Sequence, residues 1–592
     1  MIFKKNPPKD KYLKMLFLFI FIFYSIFIFQ GMDVTDTGYI LTNQVYSFTD
    51  HPDITYSAMW FLSDFFGGMW LKIIGTPNIL WARLGGVILN SLNAIIIFNI
   101  LSMYFNKEKV FFAVLVSTLF INMIPGPAFS TLISYYTFPA FLVNIVLLIF
   151  NQSINTPENE TDFKIYNFLL GFIFIPIVLS RFTLILIGLL PILIFLYYAL
   201  TNKDVSRFKK SLRYVIYGVL ISMILFILLY WYIGFLGTYI SIILSQTGIS
   251  AGAEVNKIDK YYTLNNLLTS YLYDGMKIAG WTIVALIVLY FTSLIKNRIG
   301  KNIFNFLIVF LTILVMILIN PGIITLLRAT IGLIIIIQVF FLYTDKGKNE
   351  KLTLLIITSG FFMLINPIGS SEGFKKSIYC MWLILPLSIL IVDNIKDKMK
   401  SVKVKSILSL LNIIIVIIFI ISLFSQFHNV YRDDPNRFNL NKEFSYKYLN
   451  NVYSTEERVR VLDELLFQVD AHTEKNDEVL IENDIPMIYY LTETKPAYGN
   501  PCLFYESLEE IRKKHYQMIN EHRYPKLFVF AKINTEDPDW PKSTWIESNW
   551  LNKTEKIEYL KNEYINKLNY TLLWENEAFA IYAINETYNI SR

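Results

Sequence analysis

The chain has 592 residues, a formal net charge of +6, 54% hydrophobic residues and only 17% charged ones. A soluble globular chain carries about 25% charged residues, and the deficit falls on residues 1–427, which are long apolar runs broken by short polar loops. This excludes an ordinary soluble enzyme; two isolated cysteines exclude a disulfide framework or a metal knuckle, and Lys and Arg gathered in the loops between apolar runs argue against a nucleic-acid surface.

Apolar runs of about 17–25 residues can span a bilayer. Spans are predicted near 13–31, 79–104, 110–125, 135–150, 165–180, 182–200, 214–234, 276–295, 303–320, 323–343, 352–366, 378–394 and 407–427, about thirteen in all. The first run has a basic start, "KKNPPKDKYLK", but no small-residue cleavage site follows, so it is read as a retained helix and not a removed signal. Residues 31–78 form the first loop. It opens with "GMDVTDTGYILTNQ", in which Asp33 and Asp36 lie three residues apart and share a face if the segment is helical. Such a pair suits a general base or a ligand for a divalent cation. The alternative is a solvated loop in which Thr35 or Asp36 caps a following helix. Residues 56–74 hold Asp64 and paired glycines and read as a helix lying at the interface.

The apolar stretch 165–200 is too long for one span and divides at Ser180-Arg181, since a charge in mid-lipid costs several kcal/mol. Alternate loops are far more basic than the rest. By the positive-inside rule these are cytoplasmic, so Asp33, Asp36 and residues 428–592 are expected on the outer face of a multi-pass plasma-membrane protein.

Arg83, Arg181 and Arg328 sit in or beside apolar stretches of the outer half, and Lys375 and Lys376 share an outward loop with Glu372. Charges in such positions are costly and often functional, and arginine suits phosphate oxygens. Together they suggest a cavity for an anionic, membrane-embedded ligand; snorkelling or pairing with Asp33 or Asp64 is the structural alternative. "NPIGSSEGFKKS" (366–377) offers backbone N–H groups to a phosphate or is a simple turn. Tyr135 and Tyr136 serve an aromatic belt or stack on a sugar.

Residues 428–592 have ordinary soluble composition. Residues 445–475 read as a helix with "STEE" as its capping box, "EVLIEND" as a strand, "IPMIYYLT" as a short helix, and 526–531, 571–576 and 579–584 as strands, giving a small α/β domain. Its histidines are scattered without metal-ligand spacing.

The order of these features resembles a known superfamily. "GMDVTDTGY", then "FLSDFFGGMWLKIIG", "ILWARLGGVILNSLNA" and "LSRFTLILIGLLPILI", resemble the GT-C integral-membrane glycosyltransferases, which include protein O-mannosyltransferases and the aminoarabinose transferase of lipid A. "GSSEGFKKSIYCMWLILPLSI" and "YRDDPNRFNL…DIPMIYYLTETKPAYGNP" resemble a bacterial and archaeal subgroup with a soluble C-terminal domain.

The resemblance implies a GT-C-like polytopic α-helical fold with an extracytoplasmic α/β domain. It implies transfer of a sugar from a polyprenyl-phosphate lipid to a glycan, lipid or protein acceptor, with inversion, among membrane lipids. The family's first-loop acid maps to Asp33 or Asp36. Asp33 is the expected base, because Asp36 lies among Thr35, Thr37 and Gly38, where capping competes. Arg83, Arg181, Arg328, Lys375 and Lys376 are candidates for the donor phosphate, and Tyr39, Tyr135, Tyr136 and Glu372 for sugar or acceptor. "PGPAFSTLIS" lacks the second acidic pair of better-known members, which favours a metal-free base and assigns no metal ligand, with a divalent cation as the alternative. A lipid-linked glycan flippase or other transporter, a surface-glycan polymerase or ligase, and a scaffold compete with this reading; transporters tend to show internal repeats, and none is visible.

Overall fold

A computed structural model describes residues 11–47, 60–122, 131–201, 205–240 without 238, 269, 271–280, 282–283, 287, 323–345, 349–368, 373–398, 415–428 without 418, 430–482, 484–503, 506–542 and 553–584. The predicted span 303–320, residues Gly369 to Glu372, most of the predicted span 276–295 and the first part of the predicted span 407–427 lie outside them.

The membrane region is a helical bundle. Helix α1 (Lys11–Phe27) buries Leu16, Ile20, Tyr24 and Phe27, a stripe at helical spacing. Its Tyr24 hydroxyl donates to the Thr118 carbonyl and accepts from Asn122, tying α1 to the end of α5 (Lys107–Ile121). Between them in sequence come α2 (Asp36–Tyr46), α3 (Phe61–Ile74) and α4 (Ile79–Leu101). Helix α6 (Thr137–Asn155) joins α4 through a buried Asn144–Asn93 hydrogen bond of 2.9 Å. The polar pair finds its partner inside the bundle, since lipid offers none.

Helix α7 (Thr161–Ser180) stops where the sequence places a break. Arg181 is extended, and a 3-10 segment, Phe182–Leu189, leads into α8 (Leu190–Leu200) and α9 (Ser206–Tyr232). Then follow α10 (Ile323–Asp345), α11 (Glu350–Ile365), a 3-10 segment Gly373–Cys380 and α12 (Ile384–Lys398). Among the described residues five helical segments are long and apolar enough to cross a membrane: Ile79–Leu101, Thr137–Asn155, Thr161–Ser180, Phe182–Leu200 and Ser206–Tyr232.

The C-terminal part carries a five-stranded mixed sheet. Strands β3 (Glu478–Glu482), β4 (Lys495–Pro496) and β5 (Leu527–Ala531) run parallel, and β6 (Tyr570–Glu575) and β7 (Phe579–Ile584) pair antiparallel on the β5 side, in the order β4-β3-β5-β7-β6. Every residue of β5 is buried, as its unbroken apolar run requires of a central strand. Helices α13 (Glu456–His472), α14 (Met487–Thr492), α15 (Leu508–Asn520) and α16 (Lys553–Lys561) complete it.

Two local expectations fail here. The helix expected over 445–475 starts only at Glu456; before it, β2 (Tyr453–Ser454) pairs with β1 (Lys442–Glu443). "STEE" is not a capping box, because Ser454 turns its hydroxyl to Asp433 and the N-cap Thr455 makes no side-chain cap bond. The capping box lies instead at Ser507 and Glu510, in front of α15.

Helix α2 joins the two parts. It is almost wholly buried, and Met487 of α14 donates its N–H to the Val34 carbonyl at 3.0 Å. The Thr42 hydroxyl donates to the Pro486 carbonyl at 3.1 Å. A Cβ on Gly38 would stand 2.2 Å from the Met487 nitrogen and 2.5 Å from its Cα, so two backbones meet where only glycine fits. Gly38→Ala is expected to force them apart at a cost of about 1–3 kcal/mol, as overpacking does. Thermal unfolding of the purified variant reads this, and an unchanged midpoint would contradict the contact.

Candidate active site

The first-loop acids sit at the start of α2, just past the end of α1. Asp33 is 5% exposed. Its carboxylate accepts from the Thr35 N–H at 3.1 Å, the Thr37 N–H at 2.8 Å and the Thr37 hydroxyl at 2.9 Å. The Thr37 amide belongs to the first turn of α2 and the Thr35 amide to the residue just before it; N–H groups at a helix start have no intrahelical partner, and the helix dipole there favours negative charge. Asp33 therefore caps the helix. The sequence reading gave that part to Thr35 or Asp36, but Thr35 makes no side-chain cap bond.

Asp36 faces elsewhere. Its Oδ2 accepts a 2.7 Å hydrogen bond from the Tyr431 hydroxyl, and its Oδ1 lies 3.4 Å from Nη1 of Arg432. The same Nη1 lies 3.9 Å from Asp33 Oδ1, while Nη2 donates to Glu536 Oε1 at 3.1 Å. One guanidinium thus stands among three carboxylates. Burial pushes Asp36 up to about 6; Arg432 opposes the rise and Asp33 adds to it. Burial pulls Arg432 down, but Asp36, Asp33, Tyr431 and Glu536 outweigh it, so the net movement is upward and the group stays cationic.

Arg432 is held against its backbone preference. Its φ is 51°, a left-handed conformation uncommon for a residue with a Cβ. The conformation is fixed from outside: the Arg432 carbonyl accepts from Arg458 Nη1 at 3.1 Å and from the Trp540 indole N–H at 3.3 Å. Arg458 also pairs with Asp433, which accepts from the Met32 N–H at 2.6 Å. The Gly31 N–H donates to the Tyr453 carbonyl, and the Tyr453 N–H to the Phe29 carbonyl. The C-terminal part clamps the first loop on both sides of its acids.

The chain is similar to an archaeal oligosaccharyltransferase and to ArnT. The Archaeoglobus fulgidus oligosaccharyltransferase in complex with Zn and sulfate is 12% identical, over 88% of this chain and 68% of that one, with a TM-score of 0.48. ArnT from Cupriavidus metallidurans in the apo state is 11% identical, over 96% of this chain and 98% of that one, with a TM-score of 0.42; bound to undecaprenyl phosphate it scores 0.39 at the same identity and coverage. No family model and no curated protein matches the chain.

The predicted cations divide. Arg181 and Lys376 come together on Tyr136: the Arg181 guanidinium carbon lies 5.3 Å and the Lys376 ammonium 4.1 Å from its ring centre. Lys376 is 1% exposed. Arg181 donates to Asn366 Oδ1 at 3.1 Å, and Asn366 donates to the Lys376 carbonyl, which fixes the pair. Tyr136 stacks near Tyr135 at 4.4 Å and Tyr379 at 4.9 Å, and Tyr135 on Trp60 at 4.8 Å. Helix α3 is anchored beside this wall by the Ser63 hydroxyl, which donates to the Ser180 carbonyl, one residue before Arg181. The tyrosines pack on the apolar cluster that also holds Met32, Val34, Ile40 and Leu41, so the acid group and the cation group border one common core.

Arg83 is occupied differently. It donates to the carbonyls of Ile28 and Gly31 and secures the exit of α1. Arg328 pairs with Asp274, whose second oxygen accepts from the Phe374 N–H at 3.0 Å, and so braces the segment that carries Lys376. Tyr39 is buried within α2. Glu372 and the side chain of Lys375 lie outside the described residues.

Tyr431, Arg432 and Glu536 were not singled out in the sequence, although "YRDD" was noted. They lie about 400 and 500 residues beyond the acids they meet, and no local spacing rule reaches that far. Among the described residues no group of three or more His, Cys, Asp and Glu is arranged to hold a metal ion. With Arg432 in place the first-loop acids leave no position for a resident divalent cation: Asp33 is buried and already accepts three hydrogen bonds, and a guanidinium stands between it, Asp36 and Glu536.

Proposed function

We propose that this protein is a GT-C-type membrane glycosyltransferase that moves a sugar from a polyprenyl-phosphate carrier to a hydroxyl or amide acceptor at the outer face, with inversion. The observation that carries the proposal is Asp36. It is a half-buried carboxylate at a helix N-terminus beside the end of α1, held by one phenol and one guanidinium. A base must keep a lone pair for its substrate. Asp33 is 5% exposed and already accepts three hydrogen bonds from the start of α2, whereas Asp36 keeps 23% of its side chain open. We therefore assign proton acceptance to Asp36 and give Asp33 the part of fixing the helix that carries it.

In this reading Arg181 and Lys376 face the carrier phosphate. The leaving phosphate stays anionic, and cations already in place stabilise the charge that builds up as the glycosidic bond breaks. Trp60, Tyr135 and Tyr136 pack on one another into an aromatic wall beside these cations, and in this reading the sugar ring lies along that wall. Arg83 and Arg328 act by holding backbone and loop.

The Asp36 carboxylate must be ionised to accept a proton. Because burial raises it to about 6, the transfer rate should climb with pH through that value and level off above it. A flat profile between about pH 5 and 8 would remove the proton-accepting role.

Binding of undecaprenyl phosphate to the purified protein, followed by native mass spectrometry, tests the phosphate site. Arg181→Ala and Lys376→Ala are each expected to weaken it about tenfold or more, as loss of a charge-assisted contact does. Equal binding by wild type and both variants would overturn this assignment.

A further inference from the structure

We infer that Arg432 is a built-in cation: its guanidinium fills the position among Asp33, Asp36 and Glu536 that a divalent metal ion would otherwise occupy, so the site works without a resident metal. The arrangement is one of charge: Nη2 hydrogen-bonds Glu536, and Nη1 makes no hydrogen bond but lies within ion-pair distance of both first-loop acids. Three carboxylates approach one charged group, at 3.9 Å from Asp33 and 3.4 Å from Asp36 to Nη1 and at 3.1 Å from Glu536 to Nη2. Two of the carboxylates, Asp33 and Asp36, come from one turn at the start of α2, and the third, Glu536, from the loop after β5. Without a positive charge between them Asp33 and Asp36 would repel at short range where little water reaches, with Glu536 adding to it from the exposed side. Arg432 supplies that charge permanently, because a guanidinium does not deprotonate in proteins.

The placement of this arginine is over-determined. Its side chain is 15% exposed, Tyr431 lies against it at 5.1 Å, and its left-handed backbone is pinned through the carbonyl by Arg458 and Trp540. An arginine free to swing aside could yield to an ion; this one is fixed at both ends. The C-terminal part therefore contributes to the acid site the charge that it needs, and the site is incomplete without it. A consequence is that Asp36 stays near a cation whatever the divalent-ion concentration outside the cell. The role of that cation in transfer rests on the proposed function; its occupancy of the site does not.

The test is Mn2+ binding to the full chain in detergent, read by electron paramagnetic resonance. The wild type is expected to bind no stoichiometric Mn2+ after dialysis against EDTA and titration. Arg432→Met removes the charge and opens the space, and is expected to bind one Mn2+ per chain at least about tenfold more tightly than wild type, through the carboxylates left without their cation. Adding Asp36→Asn should abolish the gain. Should Arg432→Met fail to fold, Arg432→Gln, which keeps polar reach without charge, decides in the same way. A wild type that binds one Mn2+ per chain and loses it on Asp36→Asn overturns the inference, as does a folded Arg432→Met or Arg432→Gln with no gain. The titration reads the same whether or not the protein transfers sugar, so its failure is distinct from failure of the glycosyltransferase reading.

Discussion

Asp36→Asn is expected to lower sugar transfer by about 10²–10⁴-fold, the usual contribution of a positioned base. The substitution keeps shape. The carboxamide oxygen it introduces can still accept the Tyr431 hydroxyl, and the cap on α2 belongs to Asp33, so the helix start remains. What is lost is the ability to take a proton from an acceptor whose own pKa is high. Asp33→Asn should behave in a different way. Asparagine keeps one acceptor oxygen, which can hold the Thr37 N–H and hydroxyl while the bond from the Thr35 N–H is lost, so most of the cap survives and turnover falls less. Asp33→Ala removes the cap, costs about 0.5–2 kcal/mol and lowers activity through stability. Turnover and thermal midpoint measured on all three variants separate the roles. A fully active Asp36→Asn beside an inactive but well-folded Asp33→Asn would exchange them.

Arg458→Met is expected to cost about 3–5 kcal/mol, because it leaves the buried Asp433 carboxylate without its countercharge. Arg458 is 1% exposed and Asp433 0%, so water cannot compensate. The loss spreads beyond the pair. Arg458 also donates to the carbonyls of Arg432, Pro538 and Trp540, and Asp433 anchors the Met32 N–H of the first loop and the Ser454 hydroxyl. For a unit of this size the thermal midpoint should fall by roughly 10 °C. Activity should fall with it at temperatures where the fold persists, since Arg432 loses the contact that holds its φ at 51°. A shift smaller than about 2 °C would mean that the pair contributes little.

Much of the local structure was legible in the sequence. The helix break at Ser180-Arg181 followed from the cost of a charge in an apolar run, and the chain turns at that point. Strand β7 runs over Phe579–Ile584 as its pattern required. Helix α3 follows from its amphipathic mixture of aromatics and Asp64. The failures have one physical cause. Asp33, Ser454 and Arg83 each take a partner that competes with the local rule. Asp33 reaches forward past Thr35 to the first turn of α2. Ser454 leaves the expected helix to serve Asp433, and Arg83 serves carbonyls at the exit of α1. The acids were visible as an unusual pair; their division into cap and open carboxylate was not, because Tyr431, Arg432 and Glu536 arrive from the far end of the chain.

The central claim is chemical, that a sugar–phosphate bond to a carrier lipid is broken here with Asp36 taking the acceptor proton. Reconstituted protein in liposomes should be given a panel of undecaprenyl-phosphate-linked hexoses and aminohexoses together with a membrane-lipid and peptide acceptor pool, and the lipids resolved by chromatography. The account predicts free undecaprenyl phosphate and glycosylated acceptor in equal amounts with at least one donor, both lost in Asp36→Asn. Movement of the intact lipid-linked sugar across the bilayer, with no cleavage of any donor, would contradict it.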